Sequence, residues 1–222
     1  MNKRAVKVQH GRRRRRKVIP FPNRHPDSPK TPVPYDEPPA TVHVLHPRPS
    51  WANAKRAHAL YLEADKLDED PATYNAAERL YLQAVRLDPL LHLAYTNLGN
   101  LRWRVNDAEG ALHWYERALA IAPKQPEAQY NSGYVYLETG RIKKAIECFK
   151  KAILFDPAFA DAHFNLANAL ELSGQSGEQH WRAYLKIRPM GEFARHAKHR
   201  LLPKNTRKKL CEPSGPAKSN SP

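Results

Sequence analysis

The chain has 222 residues and a formal net charge of +15, from 37 Lys and Arg against 22 Asp and Glu. Residues 1–49 carry a net +9 and residues 190–222 a net +6, while 50–189 holds 17 charges of each sign. That is a neutral middle between two basic ends, and the length predicts one domain with tails. No apolar run approaches the roughly 20 residues of a membrane-spanning helix. Lys3, Arg4 and Lys7 are followed by no apolar stretch, which argues against a secretory signal. Two cysteines, Cys148 and Cys211, form no disulfide framework, and the expected setting is reducing: cytoplasmic, or nuclear in a nucleated cell.

Taken in chain order, residues 1–49 are expected to be a disordered, Arg- and Pro-rich basic tail, because they bury too little apolar surface to offset the entropy of ordering. Ten of the 20 prolines lie in residues 1–50, so Pro20–Pro49 reads as an extended, polyproline-like spacer. Arg12, Arg13, Arg14, Arg15, Arg16 and Lys17 form the densest charge run, a candidate site for nucleic acid, an acidic protein or anionic lipid. The competing reading is a solvated extension without function. No aromatic side chain interleaves with the arginines, so any nucleic-acid contact is expected to be sequence-blind.

Residues 50–202 carry an internal repeat. Pro89, Pro123 and Pro157 are 34 residues apart, and so are Ala77, Ala111 and Ala145; Ala84, Ala118 and Ala152; and Tyr81, Tyr115 and Phe149. Gly99 and Gly133 match, with Ala167 in the third slot. Small residues at fixed places let helices approach closely, and an aromatic residue fills the space between units. Helix pairs are predicted at about 92–105 and 109–121, 126–138 and 142–154, then 160–172 and 176–187. Asn106, Gly140 and Gly174 fall between partners, where a left-handed residue closes a helix. Asp107 is placed as an N-cap, and each proline ends a unit by disfavouring helix before it.

The units are expected near 52–89, 90–123, 124–157 and 158–189, the first irregular because of Pro71. A capping helix is expected at 191–202, with Arg195, His196, Lys198 and Arg200 on its outer face, as a terminal element of a stacked array requires. Residues 203–222 read as a second disordered basic tail. The fold expected is all-α: a right-handed superhelical solenoid of about four helix pairs plus a cap.

The pattern Tyr95-Thr-Asn-Leu98-Gly99, Ala111, Tyr115, Ala118 and Pro123 resembles the tetratricopeptide repeat, over about residues 50–189. The stretches Leu67–Pro71, Ala162–Leu166 and His180–Leu185 also look like repeat modules attached to some bacterial MerR-type regulators. No winged helix-turn-helix is readable in residues 1–49. The resemblance implies that the first helix of each pair lines a concave face. There Asn97, Asn131 and Asn165 recur at 34-residue spacing, with Asn100 and Asn168 one turn onward, Tyr134 in the same slot between them, and Tyr130 beside Asn131. An amide is donor and acceptor at once, so such a ladder can pair with a peptide backbone, and it resembles the asparagine ladder of O-linked N-acetylglucosamine transferases. The alternative is that these asparagines brace neighbouring helices. Arg102 and Arg104 are the main basic residues on the corresponding stretches, few for clamping a terminal carboxylate.

For chemistry the sequence offers little. His43 and His46, or His196 and His199, have ligand-like spacing without the Cys or carboxylates that complete a metal site. There is no phosphate loop or nucleophile elbow. The function expected is a non-enzymatic scaffold or adaptor for a protein or peptide, without cofactor, metal or membrane span. A nucleic-acid-associated accessory factor acting through the basic tails is the alternative.

Overall fold

The computed structural model describes residues 48–203. Ser50 opens the first helix, α1 (Trp51–Leu67), by accepting the Asn53 amide at 3.2 Å. Pro71 then forces the longer turn expected of the irregular first unit: a 3-10 turn, Pro71–Thr73, precedes α2 (Tyr74–Leu87). The Asp70 carboxylate caps that turn by accepting the Ala72 amide at 2.9 Å, and the Thr73 hydroxyl donates back to the Leu67 carbonyl.

Three regular pairs follow: α3 (His92–Arg104) with α4 (Ala108–Ile121), α5 (Pro126–Glu138) with α6 (Ile142–Phe155), and α7 (Ala160–Leu172) with α8 (Glu178–Ile187). Their inner turns repeat one geometry. Asn106, Gly140 and Gly174 have φ of 67°, 79° and 80°. The next amide then returns to a carbonyl five residues back, Asp107 to Arg102 at 2.9 Å, Arg141 to Tyr136 at 2.8 Å and Gln175 to Leu170 at 2.9 Å. Asp107 accepts the Gly110 amide at 2.9 Å, as the N-cap reading required. The last pair departs from the prediction, since α8 starts at 178 and not 176. Gly177 lies against α7 so closely that a Cβ there would come within 2.6 Å of the Ala167 carbonyl oxygen, and the helix begins only beyond that contact.

The repeated slots explain the packing. Tyr81, Tyr115, Phe149 and Trp181 are completely buried between helices. A Cβ on Gly99 would sit 2.4 Å from the Tyr115 ring, and one on Gly133 would sit 2.8 Å from the Phe149 ring. Each helix packs on its sequence neighbours, and the first helices α3, α5 and α7 also touch one another in turn. The result is a right-handed superhelical solenoid whose inner wall is built from first helices.

The cap, α9 (Glu192–Leu201), buries Ala194 and Ala197 against Phe164, Trp181 and Tyr184. Its outer face is narrower than predicted. His196 turns inward, with its ring centroid 5.6 Å from both Phe164 and Trp181, and Arg200 pairs with Glu171; Arg195 and Lys198 are exposed. Trp181 accounts for this, because its large ring needs an aromatic lid and its indole N–H is already given to Glu171 at 2.9 Å.

Candidate peptide groove

Residues three and four apart on a helix share a face, so Leu93, Thr96, Asn97 and Asn100 of α3 meet Glu127, Tyr130 and Asn131 of α5. With Phe159 and Asp161 at the entry to α7, they line a concave cavity of about 490 Å³. Leu93 is 40% exposed, and Leu62 on α1 is 46% exposed.

The asparagines are joined in one directional network. Asn131 donates to Asn100 Oδ1 at 3.0 Å, and Asn100 donates to Asn97 Oδ1 at 3.2 Å. Asn97 donates to the Tyr81 hydroxyl at 2.8 Å and to Asp65 at 3.3 Å. Tyr81 in turn donates to Asp68 at 2.9 Å. Tyr115 adds a second donor to Asn100 Oδ1 at 3.0 Å. A donor chain of this kind ends well on a buried anion, and Asp68 is held by Arg104 at 3.3 Å.

The third asparagine is placed differently. Asn165 is completely buried and donates to the Tyr130 hydroxyl at 3.0 Å. Tyr134 is also turned into the wall, its ring edge-on to Trp103 at 5.9 Å. Tyr130 stacks obliquely on Phe159 at 4.8 Å. Asn168 is half-buried on α7. Of the seven residues expected along the groove, Asn97, Asn100, Tyr130 and Asn131 line the one cavity; Tyr134, Asn165 and Asn168 do not.

Burial governs the ionisation of this wall. It raises the Tyr81 phenol, reinforced by the Asp68 charge, and raises Tyr130, reinforced by Asp161. Both hydroxyls therefore remain donors over the whole physiological range. Asp68 is raised by burial and held down by Arg104.

Sequence reasoning did not find Asp65, Tyr81, Thr96, Gln125, Glu127 or Asp161 as groove residues. Thr96 donates to Gln125 at 3.1 Å, linking α3 to the turn before α5. The recurrence of a hydroxyl in the aromatic slot, at Tyr81 and Tyr115, was the available signal. The two candidate clamp cations are spent: Arg102 pairs with Glu78, and Arg104 with Asp68. The run Arg12–Lys17 lies outside the described residues. Among the described residues no helix is long and apolar enough to cross a membrane.

A family model described as "TPR repeat" matches residues 106–140 and 133–174. Residues 106–174 are tetratricopeptide repeats. A curated human relative, Protein O-mannosyl-transferase TMTC1, is 35% identical over 87 residues, 39% of this chain and 10% of that one. The chain thus spans about a tenth of the length of the first curated relatives it matches. Among solved structures, MamA protein is 17% identical with a TM-score of 0.57, covering 70% of this chain and 86% of that one. YrrB, described as a TPR protein with an unusual peptide-binding site, is 21% identical with a TM-score of 0.54, covering 67% and 76%. At these identities the likeness to the solved structures is one of fold.

Proposed function

We propose that this TPR protein is a non-enzymatic scaffold that holds an extended peptide, or a partner helix, in the groove between α3, α5 and the start of α7. The observation that carries this is the open 490 Å³ concavity, where exposed Leu93 stands beside the amides of Asn97, Asn100 and Asn131. Leu93 offers an apolar anchor, and the amide groups offer donors and acceptors that suit a main chain without demanding particular side chains. The fold shared with YrrB, which has a peptide-binding site, is compatible with this role. Ligands ending in an acidic carboxylate are disfavoured, because Arg102 and Arg104 are buried in ion pairs. The test is affinity capture with the full chain and its Leu93→Glu variant. Leu93 is exposed, so the fold is kept; capture should be lost with the melting temperature unchanged. Identical captured sets from both proteins would remove the groove as the binding site.

The second reading, sequence-independent polyanion binding through the tails, is carried by the composition of Arg12–Lys17 and Arg207–Lys209. If six cations meet phosphates, binding to duplex DNA should have a log–log salt slope of about −5. A slope near zero would exclude it.

A further inference from the structure

On the outer helix α6, Lys143, Lys144, Lys150 and Lys151 are all exposed. At the groove, Arg104 is paired with Asp68 and the exposed Arg188 with Asp161 at 2.7 Å, while exposed Lys66 follows Asp65 and exposed Lys124 precedes Gln125. Asp65 on the α1 rim and Glu127 on the α5 rim are exposed carboxylates flanking the cavity. Leu93 is exposed in the cavity wall beside Phe159, and one turn before Asp65 on α1 lie Tyr61, stacked on His58 at 6.1 Å, and exposed Leu62. Arginine suits such a lining, since its stem covers apolar surface and its planar head pairs with carboxylates and aromatic faces.

We infer that, when no partner is bound, the groove holds the chain's own Arg12–Lys17 run, so that a partner must displace it. This rests on the peptide-binding role proposed for the groove. Reach is no obstacle. The 32 residues 18–49 separate Lys17 from Ser50, and Ser50 caps α1, whose Asp65 accepts from Asn97 of the cavity wall at 3.3 Å. A chain of 32 residues can span at most roughly 100 Å at ~3.3 Å per residue, whereas two helix layers at ~10 Å each separate α1 from α5. A tether of this kind gives an effective concentration up to about millimolar, so a weak intrinsic affinity suffices. Carboxylates on both rims select a basic segment over an acidic one, and among all segments of this chain Arg12–Lys17 has the highest charge density.

The experiment uses the full chain and a labelled peptide of residues 10–19, followed by fluorescence anisotropy. Three proteins are compared: the native chain, a variant with all six residues Arg12–Lys17 changed to Gln, and that variant carrying also Asp65→Asn and Glu127→Gln. The Gln-substituted chain, with its groove vacated, should bind the peptide at least about tenfold more tightly than the native chain. Adding the two rim changes should weaken that binding about tenfold. Both rim residues are exposed, so circular dichroism should be identical for all three. Equal binding by native and Gln-substituted chains, or binding insensitive to the rim changes, would overturn the proposal. The Leu93→Glu capture separates the two readings: lost capture with no peptide competition removes self-occupancy and leaves the groove standing.

Discussion

Asn100 and Asn131, on helices of successive repeats, are linked by a 3.0 Å bond from the Asn131 amide to the Asn100 carbonyl oxygen, which also accepts the buried Tyr115 hydroxyl. One amide side chain thus joins α3, α4 and α5. The asparagines brace the wall as well as lining it. Asn100→Ala leaves the Tyr115 hydroxyl buried without its acceptor, at a cost of about 1–3 kcal/mol. For a domain of this size the melting temperature should fall by roughly 3–10 °C, measured by differential scanning calorimetry. Combining Tyr115→Phe with Asn100→Ala should cost less than the sum of the two, since the orphaned hydroxyl is gone. Strict additivity would show that this bond contributes nothing.

Gly99→Ala tests the close approach of α3 to α4. Its Cβ would sit 2.4 Å from Tyr115 Cε1, and the completely buried Tyr115 ring has nowhere to move. A loss of about 2–3 kcal/mol is expected. Gly140→Ala meets nothing within 4 Å and carries only the strain of φ 79°, expected to cost about 1 kcal/mol. Chemical denaturation should rank the two in that order.

Arg104→Ala should cost about 3–5 kcal/mol, because Asp68 is left buried with its charge uncompensated. The double variant Arg104→Met with Asp68→Asn should recover part of this, as it removes both charges together. Urea unfolding midpoints of the two variants provide the check, and no recovery would mean that Arg104 acts through packing on Tyr74 alone, where its guanidinium lies 5.7 Å from the ring centroid.

Acid should weaken the last repeat. His163 donates its Nε2 proton to the Pro157 carbonyl at 3.1 Å, so its Nδ1 accepts from His180 Nδ1–H, also at 3.1 Å. Burial, then the His163 and Lys150 charges, lower His180 to about 4. The unfolded chain, with an ordinary imidazole near 6.5, binds more protons between these values. Stability therefore falls as pH drops from about 6.5 to about 4 and is level below that. Because His180 is only half-buried, the share expected is about 1–2 kcal/mol. His180→Gln should flatten this part of the stability–pH curve; an unchanged curve would assign the acid sensitivity elsewhere.

What the sequence by itself determined is whatever depends on one residue's own backbone or on a strict period. The left-handed turns at Asn106, Gly140 and Gly174, the Asp107 cap, and the small and aromatic slots of Gly99, Tyr115, Gly133 and Phe149 were legible, because a 34-residue period places equivalent residues in equivalent packing slots; that each aromatic ring meets the glycine of its own unit was not. The period also predicted equal roles for Asn97, Asn131 and Asn165, and there only the tertiary structure decided. Asn97 meets the Tyr81 hydroxyl and Asn100 meets that of Tyr115, whereas the same slot in the next unit is Phe149, which has no hydroxyl to offer. Asn165 turns instead to Tyr130, 35 residues away, and is sealed in the wall. The partners of a buried amide are set by which atoms the stacked helices bring within about 3 Å of it. That is a property of neighbouring repeats and not of any one of them.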